Sequence, residues 1–231
     1  MRRGVVVTGG SRGIGLATAQ LFQRLGYEVV SLSRSAPPTA EIDHLATDIT
    51  DLASVERAAD ALVERVAGWD QTVLIHNAAV HRHDTIRSLS ARDLLAVLSA
   101  NLAAPQALNQ RLIPVMKPGS SILYIGSTLA EKAVPGAASY VASKHGMIGL
   151  MRATCQDLAG RGVHTACICP GFTDTEMLRA HLGDALEAIT SVVTAGRLLK
   201  PEEIADLIRV CADSPALNGA VLHANLGQIE R

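Results

Sequence analysis

The 231-residue chain holds only six aromatic side chains: Phe22, Tyr27, Trp69, Tyr124, Tyr140 and Phe172. They are too few and too scattered to build a base-stacking platform. Positive charge is not in excess either. Lys and Arg number 21 against 22 Asp and Glu, for a net charge of -1, which leaves no surplus to neutralise a phosphate backbone. Both scarcities argue against a nucleic-acid partner. No apolar run approaches the ~20 residues of a membrane span. The four cysteines, Cys155, Cys167, Cys169 and Cys211, form no CxxC pair, so they read as buried free thiols in a reducing compartment. The chain passes from Met1-Arg2-Arg3 straight into Gly4-Val5-Val6-Val7, too short for a signal peptide, and a cytoplasmic protein is expected. Repeats, low-complexity tracts and linker-like stretches are missing, so residues 1–231 are expected to form one domain.

What is present is alternation. Short apolar runs at Gly4–Thr8, Glu28–Ser33, His44–Ala46, Thr72–His76, Ser121–Ser127, His164–Cys169 and Ala220–Ala224 read as strands. Helical patterns lie between them, at Asp51–Ala67, Ala91–Met116 (bent near Pro105), Tyr140–Gly160 and Pro201–Ala212. This is the mark of βαβ units, and it predicts an α/β fold: a doubly wound, seven-stranded parallel sheet with helices on both faces, a Rossmann fold.

Gly9, Gly13 and Gly15, within Thr8-Gly9-Gly10-Ser11-Arg12-Gly13-Ile14-Gly15, follow the first strand and open a helix. Glycine permits a tight turn and lets a pyrophosphate approach the backbone, and the helix N-terminus favours the anion. An ordinary glycine-rich turn is the plainer alternative. The second strand ends Ser31-Leu32-Ser33-Arg34, without the acid that would hold a ribose 2′-hydroxyl. Arg34 can fork onto a phosphate and Arg12 can reach the same place, which points to NADP(H) over NAD(H). Asp48 is placed either to accept from an adenine amine or to cap the next helix.

Tyr140 and Lys144 stand four apart, so on a helix they share a face. A nearby cation favours the phenolate and makes tyrosine a usable acid or base. A surface Tyr/Lys pair is the alternative. Ser127 lies thirteen residues before Tyr140, at the end of a strand, and Asn101 sits inside the preceding helix. With these residues in order, the chain resembles the single-domain branch of the short-chain dehydrogenase/reductase family, from about Val5 to Gly227. The matching pieces are the glycine loop, Asp48, His76-Asn77-Ala78-Ala79, Asn101, Ser127, Tyr140-Val141-Ala142-Ser143-Lys144 and Pro170-Gly171-Phe172-Thr173-Asp174-Thr175.

The resemblance implies a ketone–alcohol oxidoreductase using NADP(H). In that reading Tyr140 protonates the carbonyl oxygen, Lys144 depresses the tyrosine pKa and bonds the nicotinamide ribose, Ser127 holds the substrate oxygen, and Asn101 keeps a water in the proton relay. Cofactor contacts fall to Gly9, Ser11, Arg12, Gly13, Ile14, Gly15, Ser33, Arg34, Asp48, Ile49, Asn77, Ala78, Ala79, Tyr140, Lys144, Pro170, Gly171, Thr173 and Thr175. No metal is implied. The best substrate expectation is a 3-oxoacyl thioester or a small hydrophobic ketone. A non-catalytic NADP(H) sensor or scaffold is the competing class, and the intact Asn101, Ser127, Tyr140 and Lys144 argue against it.

Three departures stand out. His76-Asn77-Ala78-Ala79 replaces the family's usual NNAG, the linker after Arg34 is too short and proline-rich for the helix many relatives carry, and the C-terminal glycine pair is absent. The variable substrate lid corresponds to about residues 172–200. There Met177, Leu178, Leu182, Leu186, Ile189, Val192 and Val193 form either a pocket wall or a core-facing stripe. His81, Arg82, His83, Arg87 and Arg92 make a basic cluster that reads as a solvated loop or as a site for a carboxylate or the phosphate of a carrier-linked acyl group. Relatives pair through the two long helices into dimers and often tetramers, so a homo-oligomer is expected, with Ala103, Ala104, Ala107, Ala153 and Ala159 permitting close contact.

Overall fold

A computed structural model describes residues 1–182 and 190–228. Seven strands form one parallel sheet: β1 (Arg3–Thr8), β2 (Glu28–Ser33), β3 (Asp43–Ala46), β4 (Gln71–His76), β5 (Ser121–Ile125), β6 (His164–Pro170) and β7 (Ala220–Ala224), in the order β3-β2-β1-β4-β5-β6-β7. The helices are α1 (Gly13–Arg24), α2 (Leu52–Ala67), α3 (Ala91–Leu98), α4 (Ala104–Leu112), α5 (Ala138–Asp157), α6 (Glu176–Leu182) and α7 (Pro201–Asp213).

The continuous apolar strands follow from burial on both faces. Along β1, Val6 points into the layer shared with Val55, Leu62, Leu108, Leu112, Met147 and Met151 of α2, α4 and α5. Its neighbours Val5 and Val7 point the other way, to Phe22 of α1 and Ile204 and Ile208 of α7. Burial of two faces defines each register, because a one-residue slip would exchange the two layers. The order reverses between β1 and β4, so the loops after these strands separate at the carboxyl edge. A doubly wound sheet has its ligand crevice at that point.

Most expected elements are present, and residues 34–42 contain no helix, as the short proline-bearing linker implied. The long helix from Ala91 departs from expectation. It is interrupted at Ser99–Ala103 by a π turn just ahead of Pro105, which is the second residue of α4. The physical reason is that proline has no N–H and its ring crowds the carbonyl four residues back, which belongs to Asn101. The wider turn removes the conflict: the Ala104 N–H bonds the Ser99 carbonyl instead. Strand β5 also stops earlier than expected, at Ile125. Ser127 is extended (φ -169°) and caps a short 3-10 turn, Thr128–Ala130, where its Oγ accepts the Leu129 N–H at 3.1 Å.

Candidate active site

The glycine turn joins β1 to α1 at the carboxyl edge. Gly9 has φ +72°, a left-handed conformation that favours glycine. A Cβ on Gly15 would lie 2.2 Å from the Gly9 carbonyl oxygen and 2.6 Å from Asn77 Nδ2, so this position admits no side chain. Thr8 knots the turn to the segment after β4. Its hydroxyl accepts the N–H groups of Asn77 and Ala78, both at 2.9 Å, and Asn77 Nδ2 donates to the Thr8 carbonyl at 2.9 Å. Ala79 lies half-buried beside them. Thr8 was not among the expected site residues, because a threonine ending a strand carries no signal until its neighbours are known.

No side chain caps the N-terminus of α1, and no acid lies in its first turn. With Ser11, Gly13 and Ile14 around them, these amides form a seat whose dipole favours an anion. Thr175 closes one side, since a Cβ on Gly13 would meet its methyl at 3.2 Å. Gly171 donates to the Ala224 carbonyl at 2.8 Å, and Thr173 Oγ1 donates to the Gly171 carbonyl at 3.1 Å, so Pro170–Thr175 is held along the same edge. These residues fit an extended dinucleotide: a bare glycine turn, an uncapped helix start and a braced loop opposite.

Arg12 Nη1 pairs with Glu176 of α6 at 3.0 Å, both ends exposed, a contact of little energetic weight. Arg34 is exposed at the end of β2 and close enough to Asp48 to contribute to lowering its pKa, after the larger effect of the Thr50 N–H and hydroxyl. Asp48 Oδ1 accepts both of these Thr50 groups, at 2.9 and 2.8 Å. The cap of α2 is Asp51, whose Oδ1 accepts the Ala53 N–H at 3.0 Å. Ser33 is buried and donates to the Ser35 carbonyl at 2.8 Å, while Ile49 packs on the α2 core layer.

Ser127, Tyr140 and Lys144 come together where β5 gives way to α5. The Ser127 hydroxyl lies near enough to the Tyr140 phenol to influence its ionisation. Lys144 Nζ lies 5.4 Å from the Tyr140 ring centroid and donates to the Ile125 carbonyl at 2.7 Å. Burial pushes the Tyr140 phenol up to about 12, with the nearby Ser127 hydroxyl working in the opposite direction. The Lys144 ammonium is itself buried, 2% exposed, and burial brings it down to about 8. Tyr140 is thus a protonated phenol at neutral pH, the form an acid needs.

Asn101, fully buried in the π turn, is committed to the protein. Its Oδ1 accepts the Val80 N–H at 2.7 Å, and its Nδ2 donates to the Val80 carbonyl and to Ser143 Oγ, each at 2.9 Å. The basic cluster disperses. Arg82 pairs with Asp93 at 2.8 Å, the His81 ring stacks on Tyr140 with centroids 4.6 Å apart, and His83 lies against Gly136. Cys167 and Cys169 are buried beneath Gly126, with sulfurs 3.9 Å apart, and all four cysteines are free. In the lid segment Met177 is exposed, and Val193 is buried. Leu186 and Ile189 lie outside the described residues, as does the side chain of Leu182. Among the described residues no group of three or more His, Cys, Asp or Glu could hold a metal, and no helix is long and apolar enough to cross a membrane.

Comparison with known proteins agrees with this geometry. Residues 9–228 match a family model described as Enoyl-(Acyl carrier protein) reductase. The chain is similar to 3-oxoacyl-[acyl-carrier-protein] reductase FabG of Vibrio harveyi and of Escherichia coli K12. Each is 30% identical over 234 residues, covering 96% of this chain and 95% of the relative. Its fold is similar to a Burkholderia cenocepacia short chain dehydrogenase in complex with NADP (TM-score 0.89, 27% identity, 98% and 97% of the two chains). It is also similar to the Thermoplasma acidophilum aldohexose dehydrogenase (TM-score 0.90, 27% identity, 98% and 94%). A match of this extent, over a parallel sheet with the glycine turn and the Ser127–Tyr140–Lys144 group at its carboxyl edge, makes the chain a member of the short-chain dehydrogenase/reductase family.

Proposed function

We propose that the protein is an NADP(H)-dependent oxidoreductase that interconverts a ketone and a secondary alcohol, with a 3-oxoacyl thioester as the foremost substrate. The observation that carries this is the buried Lys144 ammonium 5.4 Å from the Tyr140 ring with Ser127 nearby, together with the uncapped start of α1. The similar FabG proteins are 3-oxoacyl-[acyl-carrier-protein] reductases, and the similar Burkholderia enzyme binds NADP, which supports both substrate class and cofactor.

When bound, the reduced nicotinamide supplies a hydride to the carbonyl carbon. The chain's own groups do the rest. Gly9, Ser11, Gly13, Ile14 and Gly15 seat the pyrophosphate, and Arg34, with Arg12 if it leaves Glu176, meets the 2′-phosphate. Ser33, Asp48, Ile49, Asn77, Ala78 and Ala79 flank the adenosine, and Pro170, Gly171, Thr173 and Thr175 close over the nicotinamide half. Ser127 and Tyr140 hold the substrate oxygen between two hydroxyls. Tyr140 then gives its proton to that oxygen as negative charge develops there. Lys144, its ammonium brought down to about 8 by burial, bonds the ribose. Pro105 has no N–H for the Asn101 carbonyl, which leaves that oxygen suited to hold a relay water.

We further propose a single catalytic domain with its substrate cover within 172–200, and a cytoplasmic location, which the free thiols fit. Self-association, dimeric or tetrameric, would use the apolar groove of about 680 Å³ between α3, the π turn and α5. Leu95, Leu98, Leu102, Ala103 and Ala153 line it.

NADPH consumption with a 3-oxoacyl thioester, a cyclic ketone, a quinone and an aldehyde tests the reading. Tyr140→Phe is expected to lose about 100-fold or more in kcat while still binding NADPH. Arg34→Ala is expected to raise the KM for NADPH about tenfold and leave that for NADH nearly unchanged. A Tyr140→Phe variant with wild-type turnover would reject the acid role, and one that preserves the cell's phenotype without turnover would favour a sensor.

A further inference from the structure

The four-residue spacing of Tyr140 and Lys144 is repeated one position earlier by two buried serines, Ser139 and Ser143. Each is held from outside the helix. Ser143 Oγ accepts from Asn101 and donates to the Tyr140 carbonyl at 2.8 Å. Ser139 is held by Asp84, 55 residues earlier in the chain. One carboxylate oxygen accepts the Ser139 N–H at 2.9 Å, and the other accepts the Ser139 hydroxyl at 2.5 Å. The backbone of Asp84 is bound to the same entry: its N–H bonds the Gly136 carbonyl at 3.1 Å, and its carbonyl receives the Ala138 N–H at 3.3 Å.

Helix α5 has no cap of its own, because its N-cap residue is Ala137. Asp84 therefore supplies across the fold what a local Ser or Asp ordinarily supplies, an acceptor for a first-turn amide and a negative charge at the helix start. The residue it grips directly precedes Tyr140. The segment that carries Asp84 is itself pinned at Val80 by Asn101.

We propose that Asp84 is a positioning residue of the active site: by clamping Ser139 it fixes the first turn of α5 and so sets where the Tyr140 phenol stands relative to Ser127 and the substrate oxygen. This rests on the reading of Tyr140 as the proton donor. A loosened first turn misplaces the phenol without touching the cofactor seat, and a displacement near 1 Å is enough to slow chemistry by about 100-fold.

The experiment measures kcat and KM with NADPH and a 3-oxoacyl thioester for Asp84→Ala, Asp84→Asn, Ser139→Ala and Tyr140→Phe. Each kcat is divided by the fraction of molecules that bind NADPH, so loss of folded protein cancels. Asp84→Ala is expected to lower kcat per site by about tenfold or more, with KM for the thioester within about threefold of wild type. Asp84→Asn, whose amide oxygen still accepts the Ser139 N–H, is expected to recover to within about threefold. Ser139→Ala removes one of the two bonds and is expected to fall between them. If Asp84→Ala does not fold, Asp84→Asn and Ser139→Ala carry the test. Then a Ser139→Ala kcat per site equal to wild type overturns the proposal. So does an Asp84→Ala kcat per site within twofold of wild type, or an Asp84→Asn enzyme as slow as the alanine variant. An inactive Tyr140→Phe beside a fully active Asp84→Ala rejects this inference alone, whereas a fully active Tyr140→Phe rejects the proton-donor reading beneath it.

Discussion

His76 makes acid stability a sharp test of the core. It ends β4 at 1% exposure and holds Asn109 Oδ1 through Nε2 at 2.8 Å. Asn109 Nδ2 donates to the Tyr124 hydroxyl at 2.8 Å, which leaves Oδ1 as the acceptor and requires the Nε2–H tautomer. Nδ1 is buried and has no partner among the described residues. Protonation would put an unpaired N–H and a full charge there, so burial lowers the pKa from 6.5 to about 4, against the opposing hydrogen bond to Asn109. The unfolded chain takes up this proton near 6.5 and the folded chain does not until about 4. Stability from this group is therefore complete above 6.5 and falls as pH drops from 6.5 to about 4. At 1.36 kcal/mol per pH unit the loss reaches roughly 2.5 kcal/mol by about pH 4.5. His76→Gln keeps a donor for Asn109 and removes the titration. Urea unfolding of both proteins, at one protein concentration and from about pH 7.5 to 4.5, subtracts the carboxylates common to both. The wild-type curve is expected to fall below that of the variant by about 2.5 kcal/mol more at the acid end. Two parallel curves would refute the reasoning and mean that His76 is protonated, or hydrated, in the folded protein.

Two further outcomes are expected. Gly15→Ala forces a Cβ to 2.2 Å from the Gly9 carbonyl. It should destabilise the fold by about 1–3 kcal/mol in urea unfolding and weaken NADPH binding by calorimetry, and an unchanged variant would discard the close-packed turn. Leu95→Glu charges a residue that is 65% exposed in the apolar groove of α3 and α5. By light scattering it should shift the protein toward smaller species with thermal stability of the monomer unaltered, and an unchanged mass would move the interface elsewhere.

Periodicity and punctuation determined most of the architecture. Short continuous apolar runs fit strands buried on both faces of a covered parallel sheet, so β1, β4 and β6 were legible without coordinates. The glycine turn was legible because its local geometry tolerates nothing else. Tyr140 and Lys144 were legible because helical spacing alone puts them on one face. The fold decided the rest, through contacts between residues distant in sequence. Asp84 and Ser139 meet only because the segment after β4 crosses the start of α5. Thr8 becomes a knot only when β4 lies beside β1. Arg12 meets Glu176, 164 positions away, only through the fold. The pKa relation of Tyr140 and Lys144 also belongs to the tertiary structure. Spacing shows that a cation is near a phenol, but burial decides which effect wins, and here desolvation raises the phenol and lowers the ammonium. Sequence thus determined which chemical groups this protein has and along which elements they lie. Their protonation, their partners and the precision of their placement arise only when the sheet brings separate loops to one edge and removes them from water.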